Sequence, residues 1–508
     1  MSTSFVFNIL NWLKIPSNLN LRWLKIFIFL AVFGNFILII RVFEIFDYYF
    51  LFQFNESDMI IKFILVFWFA ISISILFYPK NYFLGILNLI ISATLLRGFL
   101  TYGIFEATHL CISWALLFSM MYLNGKIGMN KQRTFNASLG LFFTIIFFGF
   151  IFFHAGYDKL IDPYWQSGIG FLNFIELEWI LSEELRNFYT YSYLPWISNY
   201  FTIISEMFFL FLFVFPYTRR YSLFLYVPLG FQLLFPLNIF LIGYFAAIFS
   251  LPIFIITFGK SKIKNFNKES LLYVFIIIFV AIGFVNSLRN WHINFFNGLD
   301  APKIALYQNE EISYNFSEIV ENNESYSDEL IKKFQLKEIT NPRRFITNRY
   351  LRFGPIALFS SIHTVGTYVY KVEICNSSNC DVINYFEDDG SRGLSSGFLE
   401  LNAFQGSMYT FGDLVYASST SSPKDFKTLF KKKFNSVIFP LSNFSGYEFE
   451  SEKTFHILIR PVGKDCLDQN WVEYLEIKDG IIKIKPINVT GCDQGRNPYL
   501  KNYLKYRL

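Results

Sequence analysis

The segment HAGYDKLIDPYWQSG, residues 154–168, ends a long apolar run with a cluster of polar side chains. Lys159 lies between Asp158 and Asp162, with His154, Trp165 and Gly168 close by in sequence. An amine set where apolar chain meets polar chain can abstract a proton. Burial disfavours its charged form and a neutral amine is a base, while neighbouring carboxylates favour the ammonium. Residue types alone leave that balance open, and an ordinary lysine paired to Asp162 is the structural alternative. Other ionisable groups interrupt apolar runs: Arg97, Glu206 and the Arg41/Glu44 pair three residues apart. Such groups are costly inside a bilayer unless paired or wetted, so each marks either function or a buried ion pair. Arg97 with Glu206 is one such candidate pair.

The elements that carry these residues are strongly apolar. Of 508 residues, 53% are hydrophobic and 66 are phenylalanine, while 16% are charged, against about 25% in an ordinary soluble protein. Polarity is uneven along the chain. Residues 1–288 hold 18 Lys+Arg and 13 Asp+Glu, and residues 289–508 hold 26 of each. The net charge of +5 therefore comes from the apolar part, which argues for the charge bias of membrane loops and against nucleic acid. A membrane helix needs about 20 apolar residues. Nine segments qualify: 24–46, 60–78, 82–104, 108–123, 136–156, 198–215, 221–238, 240–258 and 271–288. The first begins too far into the chain, and lacks the small-residue cleavage site, to be a removable leader.

The connecting segments predict an orientation. Lys14, Arg22, Lys25, Lys80, Lys126, Lys131, Arg133, Arg219, Arg220, Lys260, Lys262, Lys264 and Lys268 share one side with a single acid, Glu269. The opposite side is acidic. Positive charge stays cytoplasmic, so residues 1–23 form a cytoplasmic N-terminal segment, 24–288 a bundle of about nine transmembrane helices, and 289–508 an extracytoplasmic domain. That domain reads as mostly β and sandwich-like. Residues 366–375, 435–441 and 454–462 alternate as strands, and 471–489 reads as a hairpin turning at Asp479-Gly480. Residues 309–340 read as helical or irregular, and the basic stretch 425–435 as a solvated helix face or loop. Cys375, Cys380, Cys466 and Cys492 all fall in this domain and suggest two disulfides. Of three connectivities, the local one pairs 375 with 380 and 466 with 492. Cys111 reads as a buried packing residue. The spacings do not suit zinc, and no metal site is expected.

The outer connection 157–198 places Lys159 just past the fifth helix, under a dense aromatic segment. Gly156, Gly168 and Gly170 permit close backbone approach there. Of five histidines, only His109 and His154 fall in or beside the bundle.

Taken in order, Ala155, Gly156, Lys159, Leu160, Asp162, Trp165 and Gly168 resemble the signature of the horizontally transferred transmembrane (HTTM) domain, the family of the vitamin K-dependent gamma-carboxylase. Glu206 followed by Arg219–Arg220, and Ile242-Gly243-Tyr244-Phe245, are similar to flanking stretches. The resemblance covers roughly residues 20–260. It implies a helical bundle followed by an extracytoplasmic β-rich domain, and a lyase-type reaction. Lys159 would be the base that deprotonates a reduced, vitamin K-like quinone. Oxygen then yields a stronger base that opens a substrate glutamate to CO2, and the quinone leaves as an epoxide. Asp158, Asp162, Trp165, Gly168, His154, Glu206 and Arg97 would support the site or bind substrate. The partners implied are the lipid bilayer and a secreted peptide or protein. Two alternatives stand beside this one: a non-carboxylating maturation or export factor for a secreted peptide, of the sporulation-delaying type, and a structural membrane scaffold held by ion pairs.

Overall fold

The computed structural model describes residues 13–49, 56–99, 103–161, 165, 171, 193–234, 240–260, 311–319, 368–376, 379–382, 414, 423–434, 438, 453–461 and 471–485. Among the described residues, eight helices form the first part: α1 (Leu21–Tyr49), α2 (Glu56–Phe77), α3 (Tyr82–Phe99), α4 (Gly103–Ile127), α5 (Lys131–Ile161), α6 (Leu194–Val214), α7 (Arg219–Leu234) and α8 (Phe240–Thr257). They fall on the first eight of the nine expected segments. The ninth, 271–288, lies outside the described residues.

Among the described residues, four helices contain stretches long and apolar enough to cross a membrane: Leu21–Ile40, Thr108–Ile127, Lys131–Tyr157 and Leu194–Val214. Shorter apolar stretches occupy Lys62–Phe77, Tyr82–Ala93 and Gly243–Thr257. The burial pattern agrees with an apolar solvent. Phe29, Phe63, Phe83 and Phe224 face outward, while Asn35, Asn88, Ser92, His109 and Ser113 are buried between helices. Water would favour the opposite arrangement, so the bundle is built to associate with a membrane.

Helix α5 packs between α4 and α6; α7 joins α6 to α8, and α8 returns to α1 and α4. The end of the bundle opposite Lys159 is closed by residues 13–20. Ile15 and Leu19 are buried, and Asn18 exchanges backbone hydrogen bonds with Lys260. The Leu19 N–H donates to the Tyr122 hydroxyl at 2.7 Å. Arg219 sits among Phe142 and Phe213 and donates to the carbonyls of Leu13 and Phe213 at 2.8 and 2.9 Å.

The second part contains a six-stranded antiparallel sheet. Its strands are β1 (Ile312–Asn315), β2 (Tyr368–Cys375), β3 (Cys380–Val382), β4 (Thr454–Pro461), β5 (Val472–Lys478) and β6 (Ile481–Ile484), in the order β1-β6-β5-β4-β2-β3. A short helix, α9 (Phe316–Ile319), follows β1, and α10 (Pro423–Lys433) follows β3 in the chain. Strand alternation sends Phe455, Ile457, Ile459, Ile477, Ile482 and Ile484 to the buried side. Helix α10 buries Phe426 and Phe430, with Phe430 against Tyr314 and Phe434 against Phe316. The expected hairpin forms, with Asp479 (φ 49°) and Gly480 (φ 71°) in the left-handed region that a two-residue hairpin turn requires. The Cys375–Cys380 disulfide forms between paired residues of β2 and β3; Cys466 and Cys492 lie outside the described residues. Two expectations are corrected. Ile438 has helical rather than extended backbone, so the alternation of 435–441 does not make a strand there. Residues 312–315, within a stretch read as helical or irregular, form β1 because they complete the β6 edge.

Candidate functional site

Helix α5 does not stop at Gly156. It continues through Ile161, so Lys159 stands in its last turn rather than in the following loop. The polar residues there end the apolar run without ending the helix, because backbone hydrogen bonding continues regardless of side-chain polarity.

Gly156 determines what Lys159 meets. A Cβ at position 156 would lie 2.8 Å from the Glu206 Cβ and 2.9 Å from the Met207 nitrogen. Its absence lets α6 cross against α5 and brings Glu206 under Lys159. The Lys159 Nζ donates to Glu206 Oε2 at 2.7 Å and Oε1 at 3.0 Å, with a longer contact to the Ala155 carbonyl at 3.5 Å. Their side chains are 1% and 4% exposed, so the pair is screened from water. The Trp165 ring lies 5.2 Å from Nζ and is itself buried. Asn199, also buried on α6, donates to the Trp165 carbonyl at 2.7 Å and accepts from the Phe171 N–H at 3.0 Å.

Glu206 is therefore a partner of Lys159, a pairing not considered from sequence; the two that were, Lys159 with Asp162 and Arg97 with Glu206, involve side chains outside the described residues. The structure unites Lys159, Glu206 and Trp165. His154 and Asp158 fall on α5 and Arg97 on α3, but their side chains lie outside what is described, as do Asp162 and Gly168 entirely. Chemically, a bidentate ammonium–carboxylate pair in a dry site can hold one proton on either partner. With the proton on the carboxyl, the amine is a base.

A second polar cluster was not expected. The His109 Nε2 lies 3.0 Å from Asn35 Oδ1 and its Nδ1 3.4 Å from Ser113 Oγ, which in turn lies 3.1 Å from Ser92 Oγ. Asn88 Oδ1 accepts from Asn35 Nδ2 at 2.9 Å and from Trp68 Nε1 at 2.8 Å. Trp68 and Phe245 meet the histidine ring edge-on. The available signal was neutral polar residues recurring within apolar runs, which a search for charged groups passes over. Tyr226 is the centre of a buried aromatic group, touching Phe148, Phe152, Phe209 and Phe249 and donating to the Ala246 carbonyl at 2.6 Å.

Asn88 Nδ2, Ser72 Oγ, Ser205 Oγ and Gln232 Nε2 are buried with no hydrogen-bond partner among the described residues. Buried polar atoms are nearly always satisfied, so each of these is a costly exception. Among the described residues the one cluster of metal-ligand types is Glu373, Cys375 and Cys380, and its sulfurs are joined to each other. No family model, curated protein or solved structure matches this chain.

Proposed function

We propose that this chain is a multi-pass membrane protein of the HTTM type, similar to the vitamin K-dependent gamma-carboxylase, in which Lys159 acts as a base toward a reduced quinone and the product of that chemistry modifies a secreted peptide or protein. The observation that carries the reading is the Lys159–Glu206 pair, a proton-holding couple sealed under Trp165. A lysine retained for its charge alone would sit more cheaply at a wet boundary, where long side chains reach water.

A reduced quinone would supply two electrons toward oxygen. Lys159 would receive the quinol proton at Nζ while Glu206 keeps the proton the pair already holds, so the new ammonium is balanced by the quinol anion, and Trp165 excludes water from the pair. The finer topology belongs to the same proposal: nine spans, the N-terminus cytoplasmic, and a sandwich-like tail outside. In intact cells an impermeant amine reagent then labels tail lysines and spares Lys126; the reverse pattern overturns the orientation.

The pair's own geometry also favours a structural scaffold, because both Glu206 oxygens are occupied by Lys159. The Lys159→Arg variant separates the two readings. Arginine keeps the charge but cannot act as a base. Loss of oxygen uptake with a reduced naphthoquinone, in a variant that remains folded, supports the base. Retained uptake refutes it.

A further inference from the structure

We propose that Asn199 is a positioning residue that fixes Trp165 over Lys159 and so sets how much water reaches the Lys159–Glu206 pair; its consequence for turnover rests on the reading of Lys159 as a base. Asn199 is fully buried near the start of α6. Buried amides are retained only where both halves are satisfied. Here both halves are spent on main-chain groups of one segment, the carbonyl of Trp165 and the N–H of Phe171. Those residues are six apart, so a single side chain clamps two points of the same stretch. Both Trp165 and Phe171 are 2% exposed.

Glu206 follows Asn199 by seven residues, two helical turns, which places both on one face of α6. That face supplies the counter-charge to the ammonium through Glu206 and the anchor of its cover through Asn199. The Trp165 indole is held against Nζ, 5.2 Å from its ring, by the main-chain bond to Asn199. Releasing the indole breaks that bond where no water is present to replace it. An asparagine that merely braced the helix would have no reason to grip the residue that covers the lysine.

The test is chemical protection of Lys159 in the full-length protein in nanodiscs. A small water-soluble acylating reagent is applied, and modification of Lys159 is followed by peptide mass spectrometry, with exposed Lys126 as internal reference. In the wild type Lys159 is protected. In Asn199→Ala, and equally in Trp165→Ala, the modification rate rises ~10- to 100-fold, the opening expected when one or two buried hydrogen bonds are lost. Combining the two substitutions adds nothing further. Asn199→Asp keeps the acceptor for the Phe171 N–H but loses the donor to Trp165, so it also exposes Lys159. Its near-identical shape gives a second folded variant. A wild-type modification rate in folded Asn199→Ala or Asn199→Asp overturns the proposal. Quinol oxidation is measured on the same samples. Deprotected Lys159 with no quinol oxidation in any sample keeps the positioning role and sinks the base. Lost oxidation with Lys159 still protected sinks the positioning role alone.

Discussion

Replacing Lys159 alone is not a clean test of chemistry, because Glu206 would be left as a buried charge. At 1% and 4% side-chain exposure, neither partner can recruit water without opening the α5–α6 contact. Breaking such a pair by removing one partner costs about 3–5 kcal/mol, whereas replacing both by neutral groups of similar volume is neutral or stabilising by about 1–4 kcal/mol. The expected pattern is therefore a strongly non-additive cycle. Lys159→Met and Glu206→Gln each destabilise by about 3 kcal/mol or more, and the double variant returns close to wild type. Thermal and detergent-titration unfolding of the four proteins measures this. Single variants that each lie within about 1 kcal/mol of wild type, and that add without coupling, would refute a dry, paired site.

Gly156→Ala should destabilise by about 1–3 kcal/mol, because its new methyl meets the Glu206 Cβ and the Met207 backbone; Gly149→Ala, which meets mainly the side chains of Leu210 and Phe209, should cost less in the same unfolding assay. Asn35→Ala removes the group that joins His109 to Asn88, and thermal unfolding should show a loss of about 1–3 kcal/mol from the polar atoms left behind. On the sheet, burial raises the Glu473 carboxyl, but hydrogen bonds from Lys485 and His456 outweigh it and leave it below the ordinary range. For Lys485, burial lowers the ammonium while hydrogen bonding and attraction to Glu473 and Glu476 leave it raised. The stabilisation from Glu473 is thus present above its unfolded value and lost as pH falls through its depressed folded one. That from Lys485 is present below its unfolded value and lost as pH rises through its raised folded one. Protection of β4–β6 amides, with the intrinsic pH dependence of exchange divided out, should be greatest between these limits, and Glu473→Gln should flatten the acid side.

Lys159 and Glu206 were each legible as costly polar groups in apolar surroundings, and Gly156 as a point of close approach. Their meeting was not, because the two are 47 residues apart and Arg97 offered an equally good charge for Glu206. The extent of α5 was underestimated because Asp158 and Lys159 end the hydropathy signal, whereas the helix runs on to Ile161, five residues past the expected end at 156. The His109 cluster escaped notice because asparagine and serine carry no charge; only the arrangement of α1, α2, α3 and α4 brings them together. In the sheet, Asp479-Gly480 announced its hairpin, since those residues tolerate the backbone that turn needs. Strand β1 announced nothing, being four residues whose conformation depends on pairing with β6.

The most direct test of the central claim is oxygen-dependent epoxide formation from a reduced naphthoquinone by the purified full-length protein in nanodiscs, comparing wild type with Lys159→Met/Glu206→Gln. The double variant is expected to be as stable as wild type, so lost activity cannot be attributed to lost fold. Epoxide from the wild type that disappears in the folded double variant is the predicted result. Equal epoxide from both, or none from the wild type, would contradict a base at Lys159.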